Sequence, residues 1–386
     1  MSGVVVIIGA GQGGLQAAIS LRQNGHEGPV ILLGDEPGLP YQRPPLSKAY
    51  MFDGNEEALA LRPESFLAAK QIDYRPATAA RAIDRAARQV VTDAGRIAYD
   101  HLILATGARN LRPPLPGIER TVDLRTLADA RVLRRRLAAP RRFAVIGGGF
   151  IGLEFAAVAR KLGHEVVLAE AGPRLMARAV SPQMSQDFAD MHRALGTDLR
   201  LADPVAAVTG EGMVLTSGAV VEADDVLLAA GVRPNTELAE DAGLEAANGI
   251  WVDGQLTTAD PAISALGDCA AFPDARSGRR VRLESVQAAT DHARHIAARL
   301  TGGNLPGYAA VPWFWSDQAD WKLQIAGLAM PEDRAEQPAP HVVFRFDGHD
   351  RLTAVETING PRIHMKARKA MAAGPVDAAQ ARDLLS

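Results

Sequence analysis

Cysteine is almost absent from this sequence, since the 386 residues include only one, Cys269. A single cysteine excludes an internal disulfide, a Cys-x-x-Cys redox pair and any zinc or iron–sulfur centre held by several thiolates. A lack of disulfides is typical of a reducing compartment, so we expect a cytoplasmic location. The histidines offer no metal site instead, because His292 and His295 share a predicted helix without a third ligand nearby. A structural role is expected for both.

The sequence also has no long hydrophobic run and no excess of charge of one sign. Its formal net charge is −3, and 47% of its residues are hydrophobic. No stretch approaches the roughly 20 uninterrupted apolar residues that a membrane-spanning helix needs. The apolar run at residues 4–8 lacks the basic flank of a signal peptide. A near-neutral chain gives no reason to expect nucleic acid. Length and composition indicate a soluble protein of two or three domains.

The first glycine-rich motif follows the apolar run at residues 4–8, which is predicted to be a buried strand, and opens a helical pattern. It reads GAGQGG and matches G-x-G-x-x-G at Gly9, Gly11 and Gly14. In a β-α-β unit such glycines permit a tight turn, the close approach of a pyrophosphate and the packing of helix on sheet. Asp35 ends the next predicted strand, where a carboxylate binds ribose hydroxyls, and Glu36 is the alternative.

A second motif of the same kind begins after a predicted strand at residues 143–146. It reads GGGFIG and matches the pattern at Gly147, Gly149 and Gly152. Glu170 ends the following strand and is the corresponding acid. A carboxylate there accepts hydrogen bonds from the ribose and repels a 2′-phosphate, which favours NADH over NADPH. Arg174 lies four residues further on and would weaken that preference if it faced the ribose. Two such units indicate a protein that binds two nucleotides.

Three further positions are typical of cofactor contacts. Thr106 and Gly107 follow a predicted strand at residues 102–105, where small residues let the backbone pass close to a ligand. Asp268 follows another strand end, where a carboxylate can bind a ribityl hydroxyl. The helix predicted to begin near Ser285 can direct its N-terminus at a flavin. A loop glycine and a helix-capping aspartate are the plainer alternatives, and the residues alone do not decide between them.

Five segments carry a resemblance that extends in order over essentially the whole chain. They are PPLSK at 44–48, residues 147–154, GDC at 267–269, ESV at 284–286 and WFWSDQ at 313–318. Together they resemble the FAD-dependent ferredoxin reductases of putidaredoxin-reductase type, which also supply aromatic-ring dioxygenases. The resemblance implies a glutathione-reductase-like α/β fold with two Rossmann-type dinucleotide-binding domains and a C-terminal α+β domain.

The resemblance and the crossings marked by proline and glycine divide the chain. We expect an FAD-binding domain from residues 1–111 and 235–310, with an NAD-binding domain, residues 112–234, inserted between them. Residues 311–386 are expected to form an α+β interface-type domain. The tail after Trp321 is shorter than is usual in the group, which bears on partner docking more than on catalysis.

The resemblance also implies roles for individual residues. Lys48 would lie near the flavin N5 and pair with Glu154 beside the nicotinamide, and Trp315 would lie close to the flavin edge. These three are the candidate catalytic residues. FAD contacts are implied at Gly13, Asp35, Lys48, Ala80, Arg125, Asp268 and Val286. The remaining candidate cofactor-binding residues are Gly9, Gly11, Gly14, Arg43, Thr106, Gly107, Gly147, Gly149, Gly152, Glu170 and Gly231.

The scarcity of cysteine selects among flavoproteins of this fold. Disulfide reductases keep a redox cysteine pair beside the flavin, whereas this chain has Pro44 and Pro45 in that region. Electrons that arrive from NADH must then leave FAD for an outside acceptor. The resemblance implies a [2Fe–2S] ferredoxin that feeds a cytochrome P450 or a ring-hydroxylating dioxygenase. A rubredoxin, a quinone or oxygen is an alternative acceptor, and an NADH-sensing flavoprotein of apoptosis-inducing-factor type is an alternative function.

Three basic clusters are candidate docking surfaces, because cations attract an acidic partner and raise the rate of encounter. A solvated helix face is the plainer interpretation of the first. The first cluster is Arg131, Arg134, Arg135, Arg136, Arg141 and Arg142. The second, which we favour for docking, is Arg362, His364, Lys366, Arg368 and Lys369, and the third is Arg294 with His295. No short motif identifies the partner ferredoxin.

Overall fold

The computed structural model describes residues 2–385, and their contacts form two compact units. The first unit contains residues 2–42, 57–109 and 233–310. The second contains residues 43–56, 110–232 and 311–385. The chain passes from one unit to the other at five points, two of which fall in the short strands Ala108–Asn110 and Val232–Pro234. No helix within residues 2–385 is long and apolar enough to cross a membrane.

A five-stranded parallel sheet forms the centre of the first unit. In spatial order its strands are Ile263–Ala265, His101–Leu104, Val5–Ile8, Val30–Leu33 and Ile72–Arg75. The two inner strands from the N-terminal β-α-β unit are buried at every position. Continuous apolar strands of this kind are expected where helices cover both faces of a parallel sheet. Because the first glycine motif directly follows strand Val5–Ile8, it lies at the edge of the sheet where the carboxyl ends of the parallel strands meet.

The helices of the first unit are Gln12–Gln23, Glu64–Ala69, Glu237–Asp241 and Val286–Leu300. The longest two pack against each other through small residues such as Ala289, which lies beside Gly13. Strands Ala80–Asp84, Gln89–Thr92 and Gly95–Ala98 form an antiparallel sheet. Strands Ala246–Ala247, Gly249–Trp251, Ala270–Pro273 and Arg280–Val281 form a mixed sheet, whose two central strands are parallel.

The second unit contains its own parallel sheet, which carries the second glycine motif. Its strands, in spatial order, are Asp198–Leu201, Glu165–Glu170, Arg142–Ile146 and Asp225–Leu228. The helices associated with it are Leu127–Arg136, Phe150–Lys161 and Pro182–Ala194. A three-stranded antiparallel sheet, Val205–Val208, Gly212–Leu215 and Val220–Glu222, follows in the chain.

The C-terminal part of the second unit is a five-stranded antiparallel sheet with a helix packed on it. The strand order is Trp313–Gln318, Trp321–Gly327, Leu352–Ile358, Val342–Phe346 and Arg334–Ala339. Helix Pro361–Ala373 packs on the second and third of these strands, and Ala378–Arg382 follows it. Alternating residues of the first strand point to opposite faces. The WFWSDQ run is therefore divided between two environments.

Residues 43–56 pack within the second unit, although the sequence-based boundary at residue 111 groups them with the FAD-binding segment. The segment contains the turn Pro44–Ser47 and the short helix Ala49–Asp53. An ion pair of 2.5 Å joins Glu56 to Arg131 on helix Leu127–Arg136. Contacts of this kind join residues far apart in the chain, so local sequence patterns do not reveal them.

A buried carboxylate ties the parallel-sheet part of the second unit to its C-terminal sheet. Glu356 is fully buried and accepts hydrogen bonds from the backbone N–H and hydroxyl of Ser181, at 3.0 and 2.7 Å. Arg345 pairs with the same carboxylate at 3.1 Å. Ser181 also caps helix Pro182–Ala194 by accepting from the N–H of Met184. One carboxylate thus joins a helix terminus to two strands.

Replacing Glu356 with Gln should destabilise the second unit by about 3 kcal/mol, because a buried arginine loses its counter-charge. The measurement is the free energy of unfolding in urea followed by circular dichroism. The matched control is Asp198→Asn, which breaks the pair with Arg200, where both side chains are 47% exposed. That control should lose no more than about 0.5 kcal/mol. Equal and small losses would contradict the role given to Glu356.

Candidate functional site

The first glycine motif combines two tightly packed glycines with one that faces open space. A side-chain carbon at Gly9, where φ is +106°, would overlap the carbonyl oxygen of Ala105, and one at Gly14 would overlap that of Gly9. At Gly11 a side-chain carbon would meet nothing within 4 Å. The packed glycines are required by the turn and the helix. The open one leaves the approach that a pyrophosphate needs.

The second glycine motif repeats this arrangement in the second unit. Gly147 has φ of +107°, and side-chain carbons at Gly147 and Gly152 would meet the carbonyl oxygens of Ala229 and Gly147. Gly149 again faces open space within 4 Å. Gly11 and Gly149 are also the N-caps of their helices, and neither helix has a side-chain cap. Both motifs therefore fit a nucleotide phosphate, which helix N-termini attract.

The acids that follow the two motifs differ in their surroundings. Asp35 is exposed beyond strand Val30–Leu33, whereas the carboxylate of Glu36 accepts a hydrogen bond of 2.6 Å from Tyr41. Asp35 is thus the more accessible of the two. Glu170 accepts from the backbone N–H groups of Gly148 and Gly172, both at 2.7 Å. Its carboxylate lies directly against the second glycine loop, where a ribose-binding acid is expected.

The side chain of Arg174 is bound to groups other than the Glu170 carboxylate, so it does not weaken the preference for NADH that Glu170 predicts. Its guanidinium donates to the carbonyl oxygens of Val180 and Ala177, both at 2.7 Å, and to the hydroxyl of Ser185 at 2.9 Å. These bonds commit the side chain to the loop before helix Pro182–Ala194. Glu170 therefore remains the candidate ribose-binding residue of this unit.

Thr106 and Gly107 lie at the end of the sheet in the first unit. The hydroxyl of Thr106 donates to the carbonyl oxygen of Asn235 at 2.7 Å, and the Asn235 amide returns a bond of 2.8 Å to the carbonyl of Thr106. Gly107 has φ of +65°, a conformation that favours glycine. Nearby, Cys269 is fully buried and its thiol donates to the carbonyl oxygens of Leu104 and Leu266.

The turn that carries Asp268 is held by a buried histidine to which sequence reasoning assigned a structural role. The backbone N–H of Gly267 donates to His292 Nδ1 at 3.2 Å, and Arg282 donates to the carbonyl of Asp268 at 3.1 Å. Burial lowers the pKa of His292 to about 3, so the ring stays neutral and accepts. Val286 is the first residue of the helix that Ser285 caps. His292, on this helix, thus ties the turn at Gly267 and Asp268 to it.

The remaining candidates are Ala80, Arg43, Arg125 and Gly231. Ala80 begins the antiparallel strand Ala80–Asp84 and packs partly against the core of the first unit. In the second unit, Arg43 donates to the carbonyl of Arg125 at 2.8 Å, which brings those two candidates together. Gly231 has φ of +101°, and its carbonyl accepts from the N–H of Leu111.

A group of polar side chains in the second unit surrounds Glu154, which is 3% exposed. Lys48 Nζ lies 2.9 Å from Glu154 Oε1, so the pair implied by the resemblance is present. Ser47 donates to Oε2 at 2.5 Å, and Ser316 donates to Oε1 at 2.7 Å. A buried carboxylate is stable only when such donors replace water. All four side chains share one site.

Sequence reasoning missed the part of this network that lies beyond Lys48 and Glu154. Gln318 donates to the Ser316 hydroxyl at 3.2 Å, and its oxygen lies 2.9 Å from His192 Nε2. Ser316, Gln318 and His192 are all fully buried. Because the amide oxygen only accepts, His192 carries its proton on Nε2. Burial lowers the pKa of His192, which keeps the ring neutral. Polar residues at alternate positions of a strand were the available signal.

The aromatic residues of the same strand divide between its two faces. Phe314 packs on Phe150, at the start of the second nucleotide helix, with ring centroids 4.5 Å apart. Trp313 and Trp315 lie 5.5 Å apart on the other face and are partly exposed. Trp315 is therefore available to a ligand or partner, whereas the Phe314 face is used for packing.

Comparison with known proteins identifies the family to which this chain belongs. Residues 3–293 match the family described as pyridine nucleotide-disulphide oxidoreductase, and residues 313–384 match the reductase C-terminal family. The chain belongs to the pyridine nucleotide-disulphide oxidoreductases. That family is FAD- and NAD(P)H-dependent, so the two-nucleotide fold and the oxidoreductase class expected from the sequence are confirmed.

The similar proteins cover nearly the full chain. Rhodocoxin reductase of Rhodococcus erythropolis is 47% identical over 382 residues, which is 95% of this chain and 89% of that protein. Putidaredoxin reductase CamA of Pseudomonas putida is 40% identical over 379 residues, 92% and 89% of the two chains. These relatives confirm the resemblance to ferredoxin reductases of putidaredoxin-reductase type.

Solved structures of ferredoxin reductases have the same fold as this chain. The ferredoxin reductase for the CYP199A2 system from Rhodopseudomonas palustris has a TM-score of 0.91 at 42% identity, over 98% of this chain and 96% of that one. The covalent putidaredoxin reductase–putidaredoxin complex gives 0.92 at 38% identity, over 97% and 94%.

The open and packed glycines should respond differently to the same substitution. Gly149→Ala should leave stability within about 1 kcal/mol, because the methyl group enters open space. It should raise the Kd for NADH at least about tenfold, since the same space admits the pyrophosphate. Gly152→Ala, the matched control, should instead destabilise by about 1–3 kcal/mol through overlap with Gly147. Thermal unfolding and nucleotide titration measure both. A stable Gly149→Ala variant with unchanged affinity would contradict this assignment.

Proposed function

We propose that this protein is an NADH-dependent ferredoxin reductase that uses FAD. The observation that carries the proposal is the pairing of two nucleotide-binding motifs with a single cysteine, Cys269, that is fully buried. Burial raises the pKa of the Cys269 thiol, which keeps it protonated and unreactive. An enzyme of this family without a usable thiol must pass its electrons directly to an external acceptor.

The names of the relatives support a ferredoxin as that acceptor. Besides the rhodocoxin and putidaredoxin reductases, they include terpredoxin reductase of a Pseudomonas species at 38% identity. Another is the ferredoxin–NAD(+) reductase component of the anthranilate 1,2-dioxygenase system of Burkholderia cepacia, also at 38% identity. A [2Fe–2S] ferredoxin that serves a cytochrome P450 or a ring-hydroxylating dioxygenase is the acceptor we propose. The low cysteine content is consistent with action in the cytoplasm.

The proposed cofactor sites follow the two glycine motifs. FAD would be held by Gly11 and Asp35, with Thr106, Gly107, Asp268 and the helix that begins at Val286. NADH would be held by Gly149 and Glu170. Arg43, Ala80, Arg125 and Gly231 remain proposed contacts from the resemblance. The division into FAD-binding residues 1–111 and 235–310, NAD-binding residues 112–234 and a C-terminal domain at 311–386 likewise stays a proposal.

Bound FAD supplies the chemistry, since it accepts a hydride from NADH and releases electrons singly. The protein's own contribution is position and charge. Lys48 presents an ammonium group that Glu154 holds at 2.9 Å, and its side chain is 18% exposed. A fixed cation of this kind stabilises negative charge that develops beside it without reorganisation. Ser47 and Ser316 keep the carboxylate from turning away. Trp315 remains proposed to lie at the flavin edge.

The function is tested by adding NADH to the FAD-loaded protein without oxygen and following the flavin absorbance. Bleaching, followed by rapid reoxidation on addition of ferredoxin, is the expected result. Unbleached flavin would refute the nucleotide assignments. Because one relative, at 38% identity, is a rubredoxin–NAD(+) reductase of Pseudomonas putida, rubredoxin and a quinone belong in the same assay. Faster reoxidation by either would replace ferredoxin as the acceptor. Slow reoxidation by every acceptor would favour an NADH-sensing protein.

Glu170 should determine the preference for NADH over NADPH. Glu170→Gln removes the charge that repels a 2′-phosphate and retains one of the two oxygens that accept hydrogen bonds from the N–H groups of Gly148 and Gly172. The ratio of kcat/KM for NADH to that for NADPH should fall by about tenfold or more, equivalent to about 1.4 kcal/mol. Glu165→Gln, an exposed change on the same strand, is the control. An unchanged ratio in Glu170→Gln would remove this residue from the site.

A further inference from the structure

A continuous row of hydrogen bonds leads from Lys48 through Glu154 into the interior of the second unit. Ser316 donates at 2.7 Å to Oε1 of Glu154, which is also the oxygen that Lys48 binds at 2.9 Å. Gln318 donates to the Ser316 hydroxyl at 3.2 Å, and His192 lies 2.9 Å from the Gln318 oxygen. We call Ser316, Gln318 and His192, which are all fully buried, the supporting chain. It reaches the Lys48 ammonium through a single carboxylate oxygen.

The chemistry of its groups gives the supporting chain only one direction. A carboxylate accepts hydrogen bonds and donates none, so the Ser316 hydroxyl must direct its proton at Glu154. The Ser316 oxygen then accepts from the Gln318 amide, whose nitrogen also lies 3.7 Å from the sulfur of Met176. The amide oxygen is left toward His192, whose ring is neutral because burial lowers its pKa. Every donor in the supporting chain therefore points toward the carboxylate.

The strand that carries Ser316 runs in step with the helix that carries Glu154. Phe314 packs on Phe150 at the start of that helix. Two residues further along the strand, Ser316 bonds to Glu154, which is four residues further along the helix. The two steps match, because two strand residues span about 6.8 Å and four helical residues about 6.0 Å. Gln318 follows on the same face of the strand, where a buried amide is favourable only if its hydrogen bonds are made.

Lys48 depends on Glu154 for its position. Within the described part of the chain its ammonium pairs with no other carboxylate, and its further contact is the carbonyl oxygen of Pro44 at 3.5 Å. A lysine side chain is long and flexible, so it keeps one position only where a partner fixes it. Ser47 holds Oε2 of Glu154, while Ser316 and Lys48 share Oε1. A hydroxyl that turned away from Oε1 would loosen the oxygen to which the ammonium is bound.

We infer that Gln318, with His192 behind it, is a positioning residue for hydride transfer from NADH. It occupies the Ser316 oxygen, directs the hydroxyl proton at Glu154 and thereby fixes the Lys48 ammonium. The inference rests on the proposed function, in which Lys48 lies beside FAD, and adds the buried residues that hold this cation in place. A fixed charge stabilises developing negative charge without reorganisation, whereas a displacement of about 1 Å can lower the rate about a hundredfold.

The test is Gln318→Met in the FAD-loaded enzyme, because methionine is similar in length and flexible but donates no hydrogen bond. Without oxygen, the limiting rate of flavin bleaching by NADH should fall about fivefold or more, whereas the Kd for NADH should stay within about threefold. The equilibrium constant for two-electron reduction of the flavin, measured against a redox dye, should also fall about fivefold. That change corresponds to a potential about 20 mV more negative. A purely structural role would leave the potential unchanged.

His192→Phe tests the far end of the supporting chain. Phenylalanine keeps an aromatic ring at this buried position but removes the donor to the Gln318 oxygen, so the amide is no longer held in one orientation. The bleaching rate and the potential should both fall, by less than in Gln318→Met. If Gln318→Met does not fold, this variant decides, since an unchanged potential in it would overturn the positioning role.

The matched control is Thr357→Val, which removes a fully buried hydroxyl that donates to the carbonyl of Gln324 in the same sheet. It should lower the Tm but leave the bleaching rate and the potential unchanged. A Gln318→Met enzyme with the rate and potential of this control would overturn the positioning role and leave the proposed function intact. Unbleached flavin in the unaltered enzyme would refute the proposed function. The dye titration needs no NADH, so it would still test the positioning role.

Discussion

The burial of one carboxylate, Glu154, constrains much of the second unit. A charged group that is 3% exposed requires donors in place of water, and it obtains them from Ser47, Lys48 and Ser316. These donors come from segments more than 100 residues from Glu154 on either side. The turn at 44–47, the second nucleotide helix and the first C-terminal strand must therefore come together before the carboxylate is satisfied. The proposed site for Lys48 depends on that assembly.

The second unit buries another carboxylate, Glu356, whose hydrogen bonds stabilise the fold and serve no proposed catalytic role. Arg345 and Ser181 satisfy that carboxylate, and no residue with a proposed cofactor role takes part. The two sites show that buried charge alone does not identify function. What distinguishes Glu154 is its partly exposed partner, because the Lys48 side chain remains 18% exposed and available to a ligand. Accessibility of one member separates a candidate active site from a structural ion pair.

The scarcity of cysteine restricts the possible functions directly, whereas the clusters of arginine allow more than one interpretation. The single cysteine excludes a thiol relay from the sequence itself, and its complete burial adds that the remaining thiol is inaccessible. Arginine clusters were ambiguous, since a docking surface and a solvated helix face have the same composition. Pairing distinguishes them in part: Glu56, Asp225 and Glu222 pair with four of the six cations in one cluster. The exposed side chains of Arg362, Lys366 and Lys369 have no such partner among residues 2–385.

The sequence by itself determined the features that depend on local chain geometry. Both β-α-β units and their glycines were predictable, because a turn at Gly9 or Gly147 requires the same residue wherever it occurs. The start of helix Val286–Leu300 was predictable to within a residue. Only the tertiary structure decided which distant residues are in contact. Ser316 donates a hydrogen bond to Glu154, Gly267 donates one to His292, and residues 43–56 pack within the second unit. Hydrogen bonds between distant residues leave no periodic pattern, so only the folded chain reveals them.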